Sequence, residues 1–224
     1  AGRCKIIAGT GSNDTAHAID MSRAASSMGV CAVLVVTPYY NKCTQDGLIA
    51  HYTAIADAIS CPVICYNVPS RTGLDMKVET YQALSRHPNI AGVKEAGGTP
   101  AKIARTLDAC GGDFFLWSGN DDEAVSTMAL GAKGLISVLS NVRPKKTLAM
   151  VRACQKNEFA LAGKLQRELM DLIGALFCEV NPIPVKKALE LEGFPVGAPR
   201  LPLTKLSEAN LSRLQAALAK TPDA

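Results

Sequence analysis

Short apolar runs rich in β-branched residues recur along this chain, at Lys5–Thr10, Cys31–Pro38, Pro62–Pro69, Ile90–Ala96, Phe114–Gly119 and Gly134–Val138. Helix-compatible segments lie between them, at Ser12–Met28, Gln45–Ile59, Lys77–Arg86, Pro100–Cys110 and Asp122–Leu130. Strand and helix therefore alternate every ~20–30 residues, the spacing of right-handed βαβ units on a parallel sheet. Aromatic residues are only 5% of the chain, so the core must be built mainly from Ala, Val, Ile and Leu. That bias suits parallel strands buried on both faces. Helix starts are marked by Ser12 or Asn13, by Thr99 with Pro100, and by Asp121–Asp122.

After Leu139 the pattern changes, and Arg143–Lys156, Ala160–Phe177, Pro184–Leu191 and Ser207–Ala219 read as helices with no strands between them. No low-complexity linker precedes this tail, so one domain is expected. A doubly wound open sheet would show a G-x-G-x-x-G turn, and Gly9-Thr10-Gly11-Ser12-Asn13 lacks its third glycine. A (β/α)8 TIM barrel instead gathers functional groups at the C-terminal ends of its strands. Polar residues stand there on every strand: Thr10, Thr37, Tyr66, Asn67, Lys94, Glu95, Ser118 and Ser137. The α/β reading is thus a (β/α)8 barrel with a C-terminal helical extension. Residues 1–140 would be barrel units three to eight, and residues 141–224 the last barrel helix and the extension. Only six strands can be counted where a barrel closes with eight. With no initiator Met and a strand almost at once, the expectation is that upstream chain, the first two units, is missing.

The 24 basic and 20 acidic residues leave a net charge of +4, with no run of five like charges. Nucleic acid and anionic membranes are not expected partners. No stretch of about 18 apolar residues exists to span a bilayer, and the N-terminus lacks a signal-peptide pattern. Among the eight cysteines the only close pair, Cys61 and Cys65, has a spacing that matches no common zinc pattern. They read as reduced thiols of a cytoplasmic protein, and no metal is expected. His51 and His87 carry no chemical signal and read as packing or surface residues.

Lys94 is the most informative residue, set in the apolar strand Ile90-Ala91-Gly92-Val93-Lys94-Glu95-Ala96. Alternation puts it on one face with Ile90, Gly92 and Ala96. Inside a barrel its amine would be desolvated and its pKa lowered, which frees it to attack a ketone and form an imine. Taken by itself, such a lysine more often reaches solvent or pairs with its neighbour Glu95. Tyr66, on the preceding strand, changes the balance. Parallel strands run about 4.8 Å apart, so a phenol at the same height could relay protons to a carbinolamine. A strand tyrosine that merely packs is the commoner case.

Cys65-Tyr66-Asn67-Val68-Pro69-Ser70-Arg71-Thr72-Gly73 and Gly92-Val93-Lys94-Glu95-Ala96 closely resemble the paired signatures of the dihydrodipicolinate synthase family. So do Ile7-Ala8-Gly9-Thr10-Gly11, Thr37-Pro38-Tyr39-Tyr40-Asn41-Lys42, Gly134-Leu135-Ile136-Ser137-Val138 and Asn181-Pro182-Ile183-Pro184-Val185-Lys186, in family order and spacing. The resemblance covers essentially the whole chain. It implies a homotetrameric, dimer-of-dimers lyase of lysine (diaminopimelate) biosynthesis that condenses pyruvate with aspartate 4-semialdehyde, without a cofactor, through an imine on Lys94. It further implies that Tyr66 relays protons and that Tyr40 reaches across a dimer interface. Arg71 would hold the semialdehyde carboxylate, and Gly119, Ile136 and Asn181 would line the substrate and ion pockets. Asn13 and Tyr39 match the family's lysine-inhibitor site, whereas His17 stands where inhibited relatives carry Glu.

One family motif, Gly-Thr-Thr-Gly-Glu at the end of the second strand, is absent from these residues. In the family it supplies a threonine linking the two tyrosines and amides for the pyruvate carboxylate. Its absence matches a truncation of about 65–70 residues and an expectation that the chain as given is inactive. N-acetylneuraminate lyase and 2-keto-3-deoxy-sugar-acid aldolases share the fold and the lysine. Pro69-Ser70-Arg71-Thr72-Gly73 favours the synthase, because the sugar-acid enzymes lack that arginine. A non-catalytic remnant is the remaining alternative, and retention of Lys94, Tyr66, Arg71 and Tyr40 argues against it.

Overall fold

The computed structural model describes residues 2–223. Strands β1 (Ile7–Gly9), β2 (Ala32–Val36), β3 (Val63–Asn67), β4 (Ile90–Glu95), β5 (Phe115–Ser118) and β6 (Gly134–Leu135) form one sheet in chain order. The resolved ladders are parallel. The connecting helices are α1 (Thr15–Ser27), α2 (Gln45–Asp57), α3 (Pro69–Thr72), α4 (Val78–Leu84), α5 (Pro100–Cys110) and α6 (Ala124–Ala129). Four more follow: α7 (Pro144–Gln155), α8 (Phe159–Leu176), α9 (Ile183–Leu191) and α10 (Glu208–Lys220). All six expected strands are present, each trimmed at one or both ends.

The chain packs as two compact units, residues 2–119 with 130–134, and residues 120–129 with 135–223. In the first, the sheet has two unlike faces. Val33, Val35, Val63, Cys65, Ile90, Val93 and Leu116 are buried on one. The other carries Leu34, Val36, Tyr66, Lys94 and Trp117, all half-buried. In the second, Leu139, Met150, Leu169, Leu172, Leu176 and Leu214 centre an all-helical core. Arg143, itself buried, ties the chain end into that core through the carbonyls of Leu218 and Thr221 and the carboxylate of Glu192.

Three local expectations are corrected. Helix α1 is capped by Asp14, whose carboxylate accepts from the amides of Ala16 and His17, not by Ser12 or Asn13. A carboxylate is the stronger acceptor for these orphan donors, and its charge suits the helix N-terminus. Asp121 does not open α6. Its buried carboxylate accepts from the amides of Val138 and Leu139 and from the Ser137 hydroxyl. Those bonds pull the backbone into a 3-10 turn at Leu139–Asn141, which ends β6 at Leu135 rather than Val138. Thr99, by contrast, caps α5 as expected, with Pro100 in the first turn.

The third correction concerns β4. Its register against β3 runs Val63↔Ile90, then Ile64↔Gly92, so Ala91 is an extra residue at a bulge. An odd insertion reverses the alternation. Ile90 therefore pairs with the buried Val63 and lies on the face opposite Lys94, while Gly92 stays on the Lys94 face. Gly92 has φ +154°, and a Cβ there would meet the Phe115 carbonyl oxygen at 1.9 Å. Only glycine lets β4 and β5 approach this closely.

Candidate active site

Beyond the bulge the register becomes Tyr66↔Lys94 and Asn67↔Glu95. Lys94 also pairs with Trp117 on β5, so its side chain stands between two aromatic residues on the half-buried face. Lys94 Nζ lies 4.2 Å from the centroid of the Tyr66 ring. A phenol and an amine thus share one small volume, with the tyrosine hydroxyl on the strand neighbouring the lysine. Burial pushes the Tyr66 phenol above its ordinary value, and the nearby Arg71 guanidinium pulls it back. The phenol therefore keeps its proton at neutral pH and is a donor there. Trp117 is a neighbour of Lys94 that the sequence did not single out. Its signal was only its alignment with Lys94 once the strands are in register.

Glu95 does not pair with Lys94. Successive residues of a strand point to opposite faces, and Glu95 is buried on the helix side. Its carboxylate accepts from Tyr81 Oη at 2.6 Å, Asn67 Nδ2 at 2.8 Å and the Gly97 amide at 2.8 Å. Lys102 Nζ is 3.6 Å away and also bonds Asp75 at 2.6 Å. The polar residues at the strand ends therefore divide by role. Thr10 bonds Ser22 on α1, Thr37 bonds Thr72 on α3, and Ser137 bonds Asp121. Asn67 and Glu95 bond each other. Lys94 and Tyr66 alone of this set face the other way with chemistry to offer.

Two glycines shape the site. A Cβ on Gly119 would stand 3.1 Å from Lys94 Cε and 2.7 Å from Ala96 Cβ, and its amide donates to the Glu95 carbonyl at 2.7 Å. At Gly73, which ends α3 with φ +72°, a Cβ would meet Lys42 Cε at 2.9 Å. Arg71 is exposed on α3, two residues after Pro69 starts that helix. Tyr40 is 88% exposed and sits at φ +73°, a strained setting for an aromatic residue.

Asn13 is tied to the same loop: its side-chain amide donates to the Tyr39 carbonyl, and its carbonyl accepts from Asn41. Tyr39 is exposed. His17 lies exposed on the first turn of α1. Ile136 and Asn181 belong to the second unit, both half-buried, with Asn181 joined to Pro182 by a cis bond just before α9. Among the described residues no group of three or more His, Cys, Asp or Glu is placed to hold a metal. All eight cysteines are free thiols. Among the described residues no helix is long and apolar enough to cross a membrane.

Fold and site define a class: an α/β protein of consecutive βα units with a strand-borne amine beside a phenol, equipped for imine chemistry on a carbonyl compound. Comparison with known proteins makes the class specific. The dihydrodipicolinate synthetase family model matches residues 1–221. The 4-hydroxy-tetrahydrodipicolinate synthase of Exiguobacterium sibiricum is 50% identical over 214 residues, 96% of this chain and 73% of its own. That of Thermoanaerobacter sp. is 51% identical over 221 residues, 98% of this chain and 74% of its own. The crystal structure of the Aquifex aeolicus dihydrodipicolinate synthase superposes with a TM-score of 0.96 at 41% identity, covering 98% of this chain and 75% of that one. The Acinetobacter baumannii enzyme, solved with pyruvate, gives 0.94 at 44% identity, covering 98% and 75%. The chain belongs to the dihydrodipicolinate synthetase family, and its fold is of the TIM-barrel type.

Proposed function

We propose that this chain carries the condensing site of a 4-hydroxy-tetrahydrodipicolinate synthase, joining pyruvate to aspartate 4-semialdehyde through an imine on Lys94. The observation that carries the reading is Lys94 Nζ lying 4.2 Å from the Tyr66 ring at paired strand positions. The relatives' shared name supports the choice of substrates. In this reading the neutral amine attacks the pyruvate ketone carbon and forms a carbinolamine. Tyr66, still protonated at neutral pH, gives a proton to the departing hydroxyl, and water leaves. The Tyr66 phenolate so formed takes a methyl proton, turning the iminium into an enamine. The enamine carbon attacks the aldehyde, whose oxygen receives that proton. The semialdehyde's own amine then displaces Lys94 from the re-formed iminium as the ring closes. The protonated imine is itself the electron sink, so the reaction calls for no metal or organic cofactor.

Arg71 is read as the anchor for the semialdehyde carboxylate, which a guanidinium fork can grip with two parallel bonds. Gly119, Ile136 and Asn181 are read as substrate-pocket lining. Tyr40 is read as the residue offered to a second copy in a dimer-of-dimers tetramer, which its exposure and strained backbone support. Asn13, His17 and Tyr39 are read as a regulatory site for lysine, the ligand bound in the solved Cyanidioschyzon merolae relative. The free cysteines support a reducing, cytoplasmic setting. The decisive experiment is borohydride trapping with pyruvate in the chain joined to the two leading βα units of the Thermoanaerobacter sp. relative, followed by peptide mass mapping. The adduct should fall on Lys94 and vanish in Lys94→Arg, because a guanidinium is not a nucleophilic amine. An adduct elsewhere, or none, refutes the reading, and cleavage of N-acetylneuraminate would favour a sugar-acid aldolase instead.

A further inference from the structure

The bond between Asn67 and Glu95 stands one residue beyond the reacting pair on each strand. We propose that these two residues are positioning residues for the Lys94 amine, holding it in register with Tyr66; the inference rests on the imine reading of Lys94 given above. The need for such a device follows from β4 itself. The bulge at Ala91 breaks the ladder between Val63 and Ile64, at the start of β3 and just before Gly92–Glu95, so the segment bearing Lys94 does not inherit its register from Ile90. Backbone ladder bonds are alike at every step and do not distinguish one register from another. A slip of one residue would send Lys94 to the helix side and Glu95 to the Tyr66 side.

The Asn67–Glu95 bond is specific to one register, because it joins residues that are Cα partners across β3 and β4. Both side chains are buried and their polar atoms are engaged. Asn67 Nδ2 donates to Glu95 Oε1 and to Asp75 Oδ1, each at 2.8 Å, and Asn67 Oδ1 accepts from the Met76 amide at 3.1 Å. Glu95 Oε1 also accepts from the Gly97 amide, which shapes the turn leaving β4. A Cβ on Gly97 would meet the Pro69 ring at 2.3 Å, so that turn packs directly on the start of α3, the helix of Arg71. One pair of side chains thus joins the strand of Tyr66, the strand of Lys94 and the segment flanking Arg71. Lys102, 2.6 Å from Asp75 and 3.6 Å from Glu95, offsets the two carboxylates. Tyr81 also donates to Glu95, from α4, but it spans no pair of strands.

That difference supplies the test. The chain joined to the two leading βα units of the Thermoanaerobacter sp. relative, and its variants, are treated with pyruvate and cyanoborohydride from pH 6 to 10. Adducts on Lys94 and on exposed lysines are quantified in the same digests, and folded fractions are taken from circular dichroism. Asn67→Ala and Glu95→Ala should lower Lys94 trapping per folded molecule by about tenfold or more, since small misplacements of a reacting group cost rate steeply. They should also change its pH profile while leaving the exposed lysines unaltered. Glu95→Gln, whose amide oxygen still accepts from Asn67 and Gly97, should recover to within about threefold of the unsubstituted protein. Tyr81→Phe should stay within the same range. Should Asn67→Ala not fold, Asn67→Ser, too short to span the strands, is read in its place. Equal losses in all variants in proportion to unfolding, or Asn67→Ala and Glu95→Ala within threefold, overturn the proposal. Absence of a preferential Lys94 adduct in the unsubstituted protein instead overturns the functional reading, and this inference with it.

Discussion

Lys94 and Glu95 are covalent neighbours with opposite surroundings. One stands beside a phenol on the half-buried face, and the other is buried under α4 and α5 with three hydrogen-bond donors on its carboxylate. A side chain's chemistry here is decided by which face it takes. The same logic applies to His17 on the rim of α1. A lysine ligand presents an ammonium, which needs an anionic partner, and an imidazole is never anionic in the working pH range. Lysine should therefore inhibit this protein's condensation activity weakly. His17→Glu should lower the half-inhibiting lysine concentration by about tenfold, the effect of one charge-assisted contact of ~1.5 kcal/mol. Unchanged inhibition in steady-state assays of a barrel-complete form would remove Asn13, His17 and Tyr39 from any regulatory role.

At the scale of elements, α1 and α2 are joined through a histidine rather than by apolar contacts alone. His51 on α2 is 4% exposed, its Nδ1 lies 2.9 Å from Thr15 Oγ1 on α1, and its ring meets Tyr52 edge-on. Nε2 is buried with no hydrogen-bond partner, so protonating the ring would bury an uncompensated donor and charge. Burial accordingly holds the His51 imidazole below its usual value. The unfolded chain takes up that proton near pH 6.5, whereas the folded chain resists it. Stability from this group is complete above the unfolded value and is lost as pH falls towards the lowered folded one. Thermal melts should show a drop in Tm between pH 7 and pH 5 that is smaller in His51→Gln. Parallel acid limbs in the two proteins would show that His51 titrates as it does in the unfolded chain.

At the scale of the molecule, the sheet ends at β1 and β6, and its first strand leaves Ile6 and Ile7 about half exposed. Six parallel strands are two short of a closed TIM barrel, and these residues span about three quarters of the curated relatives' length. Joined to the two leading βα units of the Thermoanaerobacter sp. relative, the chain should condense pyruvate with aspartate 4-semialdehyde. Absence of that product in a steady-state assay of the joined protein would refute the condensing assignment.

Much of this protein is decided locally, and that part is legible in the sequence. The order of six strands, the capping of α5 by Thr99, and the placing of Lys94 level with Tyr66 follow from periodicity, propensity and the even spacing of parallel strands. Other features depend on groups far apart along the chain. The bulge at Ala91 sends Ile90 to the face opposite Lys94, and β5 passes within contact of Gly92. Asp121, which reads as a helix cap, instead serves amides at Val138 and Leu139 that only folding brings to it. The Asn67–Glu95 bond likewise exists only once β3 and β4 are paired. Sequence patterns report what each segment prefers by itself, whereas a buried polar group's partner is settled by whichever donor or acceptor the tertiary fold leaves within about 3 Å.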